Sequence, residues 1–218
     1  MARAIRKQFS EDDLRQRVHR RLGGEISHPP GAVVAGGDHD LNPEWSDADR
    51  HRPVRRPCAV LIPLITHGDA LSVLMTRRAD HLAQHAGQVA FPGGKIGPQD
   101  RAPVNAALRE AHEEVGLHPQ FVDVLGRLDD YRTGTGFDIA PFIGIVRPGF
   151  ALVADPDEVA EILHAPLAFL MTPENHQIRE VTWRGQPRRF YAMPYDRHYI
   201  WGATAGILRR MYERLYRE

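Results

Sequence analysis

"LREAHEEVGL", residues 108–117, sets three carboxylates, Glu110, Glu113 and Glu114, inside a stretch whose apolar residues keep helical time. Val104, Leu108, Ala111 and Val115 recur at the spacing of one buried helix stripe. The three glutamates stand at i, i+3 and i+4, so their side chains share the adjoining face. Like charges at that spacing weaken an isolated helix by a few tenths of a kcal/mol per pair. A solvated charged face accounts for such spacing on an ordinary helix, but basic residues usually alternate on such faces. Here only Arg109 is at hand to offset three acids. Hard divalent cations, by contrast, take several oxygen ligands converging from one side. The spacing alone leaves both readings standing.

Just upstream, "FPGGK" (residues 91–95) ends a short strand in a Pro-Gly-Gly turn. Backbone can approach a ligand closely there, and the Gly94 carbonyl can face a metal. A Walker A phosphate loop is excluded, because Val89 stands where its first glycine belongs and Ile96 where its hydroxyl belongs.

Around this centre the spacing predicts a helix over 103–115, preceded by strands in "CAVLIPLI" (58–65), "ALSVLMT" (70–76) and "QVAF" (88–91). Further strands are expected in "FVDVLGRL", "IAPFIGIV", "AEILHAP", "QIREVTW" and "RRFYAMPY". A short helix is expected in "LAFLM" and an amphipathic one from about residue 203. Near the amino end, residues 10–22 read as a charged helix capped by Ser10 and stopped by Gly23 and Gly24. The following stretch, rich in Pro, Gly, Asp and His, reads as an extended arm. The expected division is therefore a helix and arm over 1–57 and a domain over 58–218. Strands and helices mix without a βαβ rhythm, so the expected fold is α/β, a mixed sheet between helical layers.

Lys plus Arg and Asp plus Glu each total 28, a zero net charge that argues against a broad nucleic-acid face. Cys58, the one cysteine, excludes a disulfide framework and a multi-thiolate zinc site, and its apolar setting reads as a buried, inert thiol. Neither a secretory leader nor an apolar run of membrane-spanning length is evident, so a cytoplasmic protein free of membranes is expected.

Residues 94–117, "GKIGPQDRAPVNAALREAHEEVGL", resemble a Nudix box, Gx5Ex7REUxEExGU with U a bulky aliphatic residue. Three departures stand out: Ala111 is small for U, Asp100 takes the first Glu position, and the spacer to Arg109 is one residue longer. The last two are similar to the coenzyme A pyrophosphatase branch. So is "LMTRRADHLAQHAGQVAFPGG" (74–94), set beside LLTxR[SA]x3Rx3Gx3FPGG. Leu74, Thr76, Arg78, Ala79, Gly87 and Phe91 to Gly94 match; Met75 and Ala83 depart, Ala83 replacing an Arg. Similar wording continues in "YRTGTGF", "DPDEVAEI" and "RRFYAMPY...IWGATAGILR".

The resemblance implies a Nudix-type α/β/α sandwich that hydrolyses coenzyme A to 3′,5′-ADP and 4′-phosphopantetheine. It implies that Glu110, Glu114, Glu113 and Gly94 hold Mg²⁺ or Mn²⁺, with Arg109 orienting a carboxylate and Glu110 and Glu113 also serving catalysis. Arg77, Arg78 and Lys95 flank the metal loop and are candidates for the diphosphate or 3′-phosphate, Arg78 favoured by the pattern; surface charge is the plain alternative. Arg132, in "YRTGTGF", is a candidate phosphate or base contact against a simple turn. Asp157, Glu158 and Glu161 are candidates for a base or further ligand against a solvated acidic loop. His81 and His85 read as a substrate edge or solvated pair rather than zinc ligands, and Trp201 and Tyr199 as core. The competing functions are a Nudix hydrolase for NADH or ADP-ribose and a non-catalytic nucleotide-binding module. Monomer and homodimer both remain open.

Overall fold

The computed structural model describes residues 8–23, 34–44, 55–183 and 185–217. Most of the expected arm, together with Gly24, lies outside those residues. The elements in chain order are α1 (Glu11–Leu22), β1 (Val34–Gly37), β2 (Arg56–His67), β3 (Ala70–Arg78), β4 (Val89–Ala90), β5 (Gly93–Lys95), α2 (Pro103–Val115), β6 (Val122–Arg127), β7 (Asp130–Arg132), β8 (Phe137–Val146), β9 (Val159–Pro166), α3 (Leu167–Leu170), β10 (Gln177–Trp183), β11 (Gln186–Tyr195), β12 (His198–Trp201) and α4 (Ala203–Leu215).

β2 and β8 run parallel at the centre because their "CAVLIPLI" and "IAPFIGIV" runs are apolar on both faces, as a strand covered from two sides must be. Along β2, Ile62 and Leu64 enter one core with Val73, Met75, Leu208 and Met211. Ala59, Leu61 and Ile65 enter the other with Ala106, Ala107, Ala111 and Phe142. That period of two splits the molecule into three layers: α1, α3 and α4 on one face of the sheet, α2 on the other. Pairing is mixed. β3 pairs antiparallel with β2, β4 and β9, and β8 antiparallel with β6 and β7. β10, β11 and β12 form a separate three-stranded antiparallel sheet. No helix among the described residues is long and apolar enough to cross a membrane.

Three details differ from the expected elements. The fully buried stripe of α2 is Ala106, Ala107, Ala111 and Val115, with Val104 and Leu108 only partly covered. Small side chains let the helix settle closely on Ala59 and Leu61 of β2, leaving the larger ones at its margins. "GGK" is a strand rather than a bare turn, since Val60, Ala59 and Cys58 of β2 pair with Gly93, Gly94 and Lys95. The amino-terminal segment also supplies sheet: β1 pairs parallel with β7, and α1 buries Leu14 and Val18 in the same core as α4. Ser10 caps α1 by accepting from the Asp13 amide, and Gly23 ends it at φ 66°.

Candidate active site

α2 ends in Gly116 at φ 70°, so the glutamates occupy its last two turns. Carboxylates at a helix carboxyl end meet the negative pole of the helix dipole, which adds to their mutual repulsion. Glu114 bears the largest cost. It is 4 % exposed, and its Oε2 has no hydrogen-bond partner. Burial, then the charges of Glu110 and Glu158, push its carboxyl up to about 8, against relief from Arg78 and a hydrogen bond from the Gly93 amide. Burial also raises Glu110, with Arg109 opposing and Glu113 and Glu158 adding to the rise. A buried, unsatisfied carboxylate beside two others is a set of hard oxygen donors short of a cation.

Arg109 organises the cluster. It donates to Asp100 through Nε at 3.2 Å and Nη2 at 3.1 Å, and to the Lys95 carbonyl at 3.2 Å. Its Nη1 meets Glu110 at 2.9 Å and Glu113 at 2.8 Å. The Asp100 bond is the main reason its guanidinium is pushed above its ordinary value. Burial alone would raise Asp100, but the bonds from Arg109 and the Gly97 amide outweigh it and hold the carboxyl below its usual range. With Arg109 gripping two glutamates, no three His, Cys, Asp or Glu side chains converge as a metal cage among the described residues. The donor set nonetheless fits a divalent cation, because the orphaned Glu114 oxygen is what such an ion would satisfy.

The two glycines of β5 do different work. A Cβ on Gly94 would come within 2.5 Å of the Glu110 carboxylate, so its bareness is what lets that group lie against the strand. A Cβ on Gly93 would meet the Ala59 carbonyl oxygen at 2.5 Å and the Val60 Cα at 2.7 Å, both backbone atoms of β2. Gly94 serves the site, and Gly93 serves the sheet.

A cleft of about 370 Å³ borders this centre at Arg78, Gly93, Gly94 and Lys95. Arg78 faces it with its Nε buried and without a hydrogen-bond partner, and its charge bears on Glu114. Arg77, the next residue along β3, is not among the cleft-lining residues: Asp80 holds it at 2.6 Å, with Glu161 at 4.0 Å. Of the two arginines it is Arg78 that lines the cleft, and the pairing of β3 with β9 is irregular between them. Arg132 is likewise turned to structure, donating to Asp138 at 3.0 Å, which Arg55 also reaches at 2.7 Å. The same loop offers Thr133 and Thr135 to the cleft instead.

Of the acidic loop, exposed Glu158 alone bears on Glu110 and Glu114, while Glu161 is tied to Arg197 at 2.5 Å. His85, at φ 59°, lines the cleft, whereas His81 donates to the Asp157 carbonyl at 3.1 Å. Trp201, expected in the core, is partly buried and lines the cleft; Tyr199 is 43 % exposed. Cys58 is buried, and desolvation pushes its thiol up to about 11. Asp38 and Arg188 also line the cleft and were not singled out in the sequence, although Arg188 opens the "RRFYAMPY" stretch; no local pattern marks Asp38.

The NUDIX domain family matches residues 55–185. Curated relatives named "Uncharacterized Nudix hydrolase NudL" include one from Photorhabdus laumondii, 40% identical over 166 residues, or 76% of this chain and 85% of that protein. Another, from Enterobacter sp. (strain 638), is 39% identical over 157 residues, or 72% of this chain and 81% of that protein. Among solved structures, the NUDIX domain of Shewanella oneidensis NrtR complexed with ADP ribose aligns at TM-score 0.49 and 16% identity, over 82% of this chain and 97% of that one.

Proposed function

The chain belongs to the Nudix hydrolase family, and from that premise we propose that its substrate is coenzyme A, cleaved at the pyrophosphate bond to 3′,5′-ADP and 4′-phosphopantetheine. As a Nudix hydrolase it acts on a nucleoside diphosphate derivative and uses a divalent cation. Mg²⁺ or Mn²⁺ is the proposed ion, with Glu110, Glu114 and the Gly94 carbonyl as its holders and Glu113 completing the anionic cluster from the exposed side. When bound, such an ion neutralises phosphate oxygens and renders water nucleophilic near neutral pH. Arg109 keeps Glu110 and Glu113 aligned through its shared bonds and excludes alternative rotamers. Arg78, beside Glu114 at the cleft, is the cation proposed to meet the diphosphate, with Lys95 near it.

The observation that carries the reading is the Glu114 carboxylate, buried with an orphaned oxygen behind the cleft that Arg78 and Gly94 border. The coenzyme A choice rests on the "LMTRRA...GQVAFPGG" pattern upstream. Ala83, an exposed residue where that pattern has Arg, favours the second reading, a hydrolase of NADH or ADP-ribose. The deciding measurement is kcat/KM with Mg²⁺ for coenzyme A, 3′-dephospho-coenzyme A, NADH and ADP-ribose. Coenzyme A should lead its 3′-dephospho form by about ten-fold or more, because a site built for the phosphate leaves a cation unpaired without it. Equal values for those two compounds would defeat the coenzyme A assignment and leave the hydrolase without it.

A further inference from the structure

β10 ends one side of the three-stranded sheet and pairs only with β11, so its other edge is open among the described residues. The alternation of the ladder identifies the groups on that edge. Arg189, opposite Glu180, donates its amide to Asn42 at 2.7 Å, and its carbonyl accepts from the Asn42 side chain at 3.0 Å. Tyr191, opposite Ile178, turns its carbonyl to the Gly202 amide at 3.2 Å. In an antiparallel ladder the backbone groups of two opposed residues point either at each other or both away. Ile178 and Glu180, and by the same period of two Thr182, therefore aim their N–H and C=O groups outward. No turn, loop or cap bond among the described residues takes them up.

Monomeric proteins blunt such edges with proline, lysine, a bulge or a very short strand. β10 has none of these: "QIREVTW" is seven residues long, and its register with β11 runs unbroken from Gln177 to Trp183. It is also partly apolar on the outside. Of the four large apolar side chains exposed among the described residues, Ile178 at 55% and Val181 at 48% both sit on β10. A strand this open and regular is a template for another strand.

Its own sequence fits it to itself. A two-fold axis normal to the sheet lays β10 antiparallel to the β10 of a second copy, and the residue on the axis then faces its own counterpart. With Arg179 or Glu180 on the axis, like charges stand directly opposite, which is destabilising. With Val181 there, two β-branched apolar side chains meet at the closer kind of pair. Arg179 of each strand then faces the other's Trp183, and Glu180 faces the other's Thr182 hydroxyl, both favourable pairings. The outward groups of Glu180 and Thr182 are taken up on both strands. The zero net charge of the chain adds no overall repulsion between copies.

We propose that β10 pairs antiparallel with the β10 of a second copy of this chain, with Val181 on the two-fold axis, merging the two small sheets into one. β11 and β12 of that sheet carry Arg188 and Trp201 of the cleft wall, so the same contact braces one wall of each cleft. Neither the metal site nor the choice of substrate enters this argument.

The test is sedimentation of the full-length protein from about 1 to 100 µM, where a modest interface should show a reversible monomer–dimer equilibrium. Thr182→Pro removes an outward N–H that β11 does not use. Val181→Glu faces Arg188 within its own sheet but sets like charges across the axis. Each should keep the wild-type Tm of the dilute protein and move dimerisation to concentrations at least about ten-fold higher. Should Thr182→Pro fail to fold, Val181→Glu decides. Val181→Cys should cross-link to its counterpart under mild oxidation, because the Cα atoms of such a pair lie about 4.5 Å apart, within disulfide reach. Val153→Cys, an exposed control beside α2, should not, and the buried Cys58 leaves the background low. A wild type that stays monomeric through the whole range, or a dimer that survives both substitutions, overturns the contact. Cross-linking through Glu180→Cys in place of Val181→Cys overturns the register.

Discussion

Replacing Glu114 with Gln removes one charge and almost no volume, and its effect on stability is opposite to its effect on catalysis. In the metal-free protein burial and the neighbouring carboxylates hold the Glu114 carboxyl near 8, against an ordinary 4.5. A raised carboxyl binds a proton in the native state that the unfolded chain has released. Its contribution to stability is therefore intact below about 4.5 and drains away as pH rises toward 8. At pH 7 that gap corresponds to about 3 kcal/mol. Gln keeps an oxygen to accept from the Gly93 amide but escapes the titration. Metal-free Glu114→Gln should therefore melt higher than metal-free wild type at pH 7, by roughly 6–12 °C for a chain of this size, and equal it near pH 4.5. Saturating Mg²⁺ should stabilise the wild type and leave the variant almost unmoved, because a ligand stabilises only the state it binds. Thermal melts from pH 5 to 8.5, with chelator and with Mg²⁺, read all of this, and coenzyme A turnover in the variant should be nearly abolished. A metal-free wild type whose stability runs parallel to the variant's across that range would refute the buried-charge argument; retained turnover would refute the metal assignment.

Gly94→Ala should cost activity while largely sparing the fold, because its Cβ displaces the movable Glu110 carboxylate. Gly93→Ala should cost stability first, because its Cβ meets β2 backbone; Tm and kcat measured on both variants check the split. Arg109→Lys should lower kcat by about ten- to a hundred-fold with a small change in KM, since one ammonium cannot replace a fork shared among Asp100, Glu110 and Glu113. Arg77→Ala should stay within about two-fold of wild type while Arg78→Ala loses about ten-fold or more in kcat/KM; the reverse order would show that Arg77 and not Arg78 serves the cleft.

The centre of the site was readable because its grammar is local. Glu110, Glu113 and Glu114 share a face through helical spacing alone, and α2 runs over the expected residues 103–115. The hairpin of β2 and β3 was readable for the same reason: two apolar runs flank a tight polar turn. The far wall of the cleft was not readable. Asp38 and Arg188 are 150 positions apart and meet because β1 joins the sheet beside β7 and Asn42, just after it, is hydrogen-bonded to the Arg189 backbone of β11. β1 itself, "VAGG", carries no alternation, and its parallel partner β7 is three residues long. Arg77 and Arg132 were plausible ligands because sequence exposes a charge but hides its partner. Asp80 and Asp138 supply those partners, and each arginine is engaged there.

The two departures of the box before α2 belong together. An Asp is one methylene shorter than the Glu of the family pattern, and on an unchanged loop its carboxylate would fall short of Arg109. Here the spacer is one residue longer. A turn from the Gly97 carbonyl to the Asp100 amide at 3.1 Å, with the Gly97 amide returning to Asp100 Oδ2 at 2.8 Å, carries the short side chain inward. Its carboxylate ends 3% exposed and receives Arg109 through Nε and Nη2 together. The longer loop thus restores the reach that the shorter acid lost, and with it the two-point grip that fixes the guanidinium. That grip is what allows the remaining nitrogen, Nη1, to bridge Glu110 and Glu113. A departure that looks like erosion of the motif in sequence is, in three dimensions, a second solution to holding the same arginine.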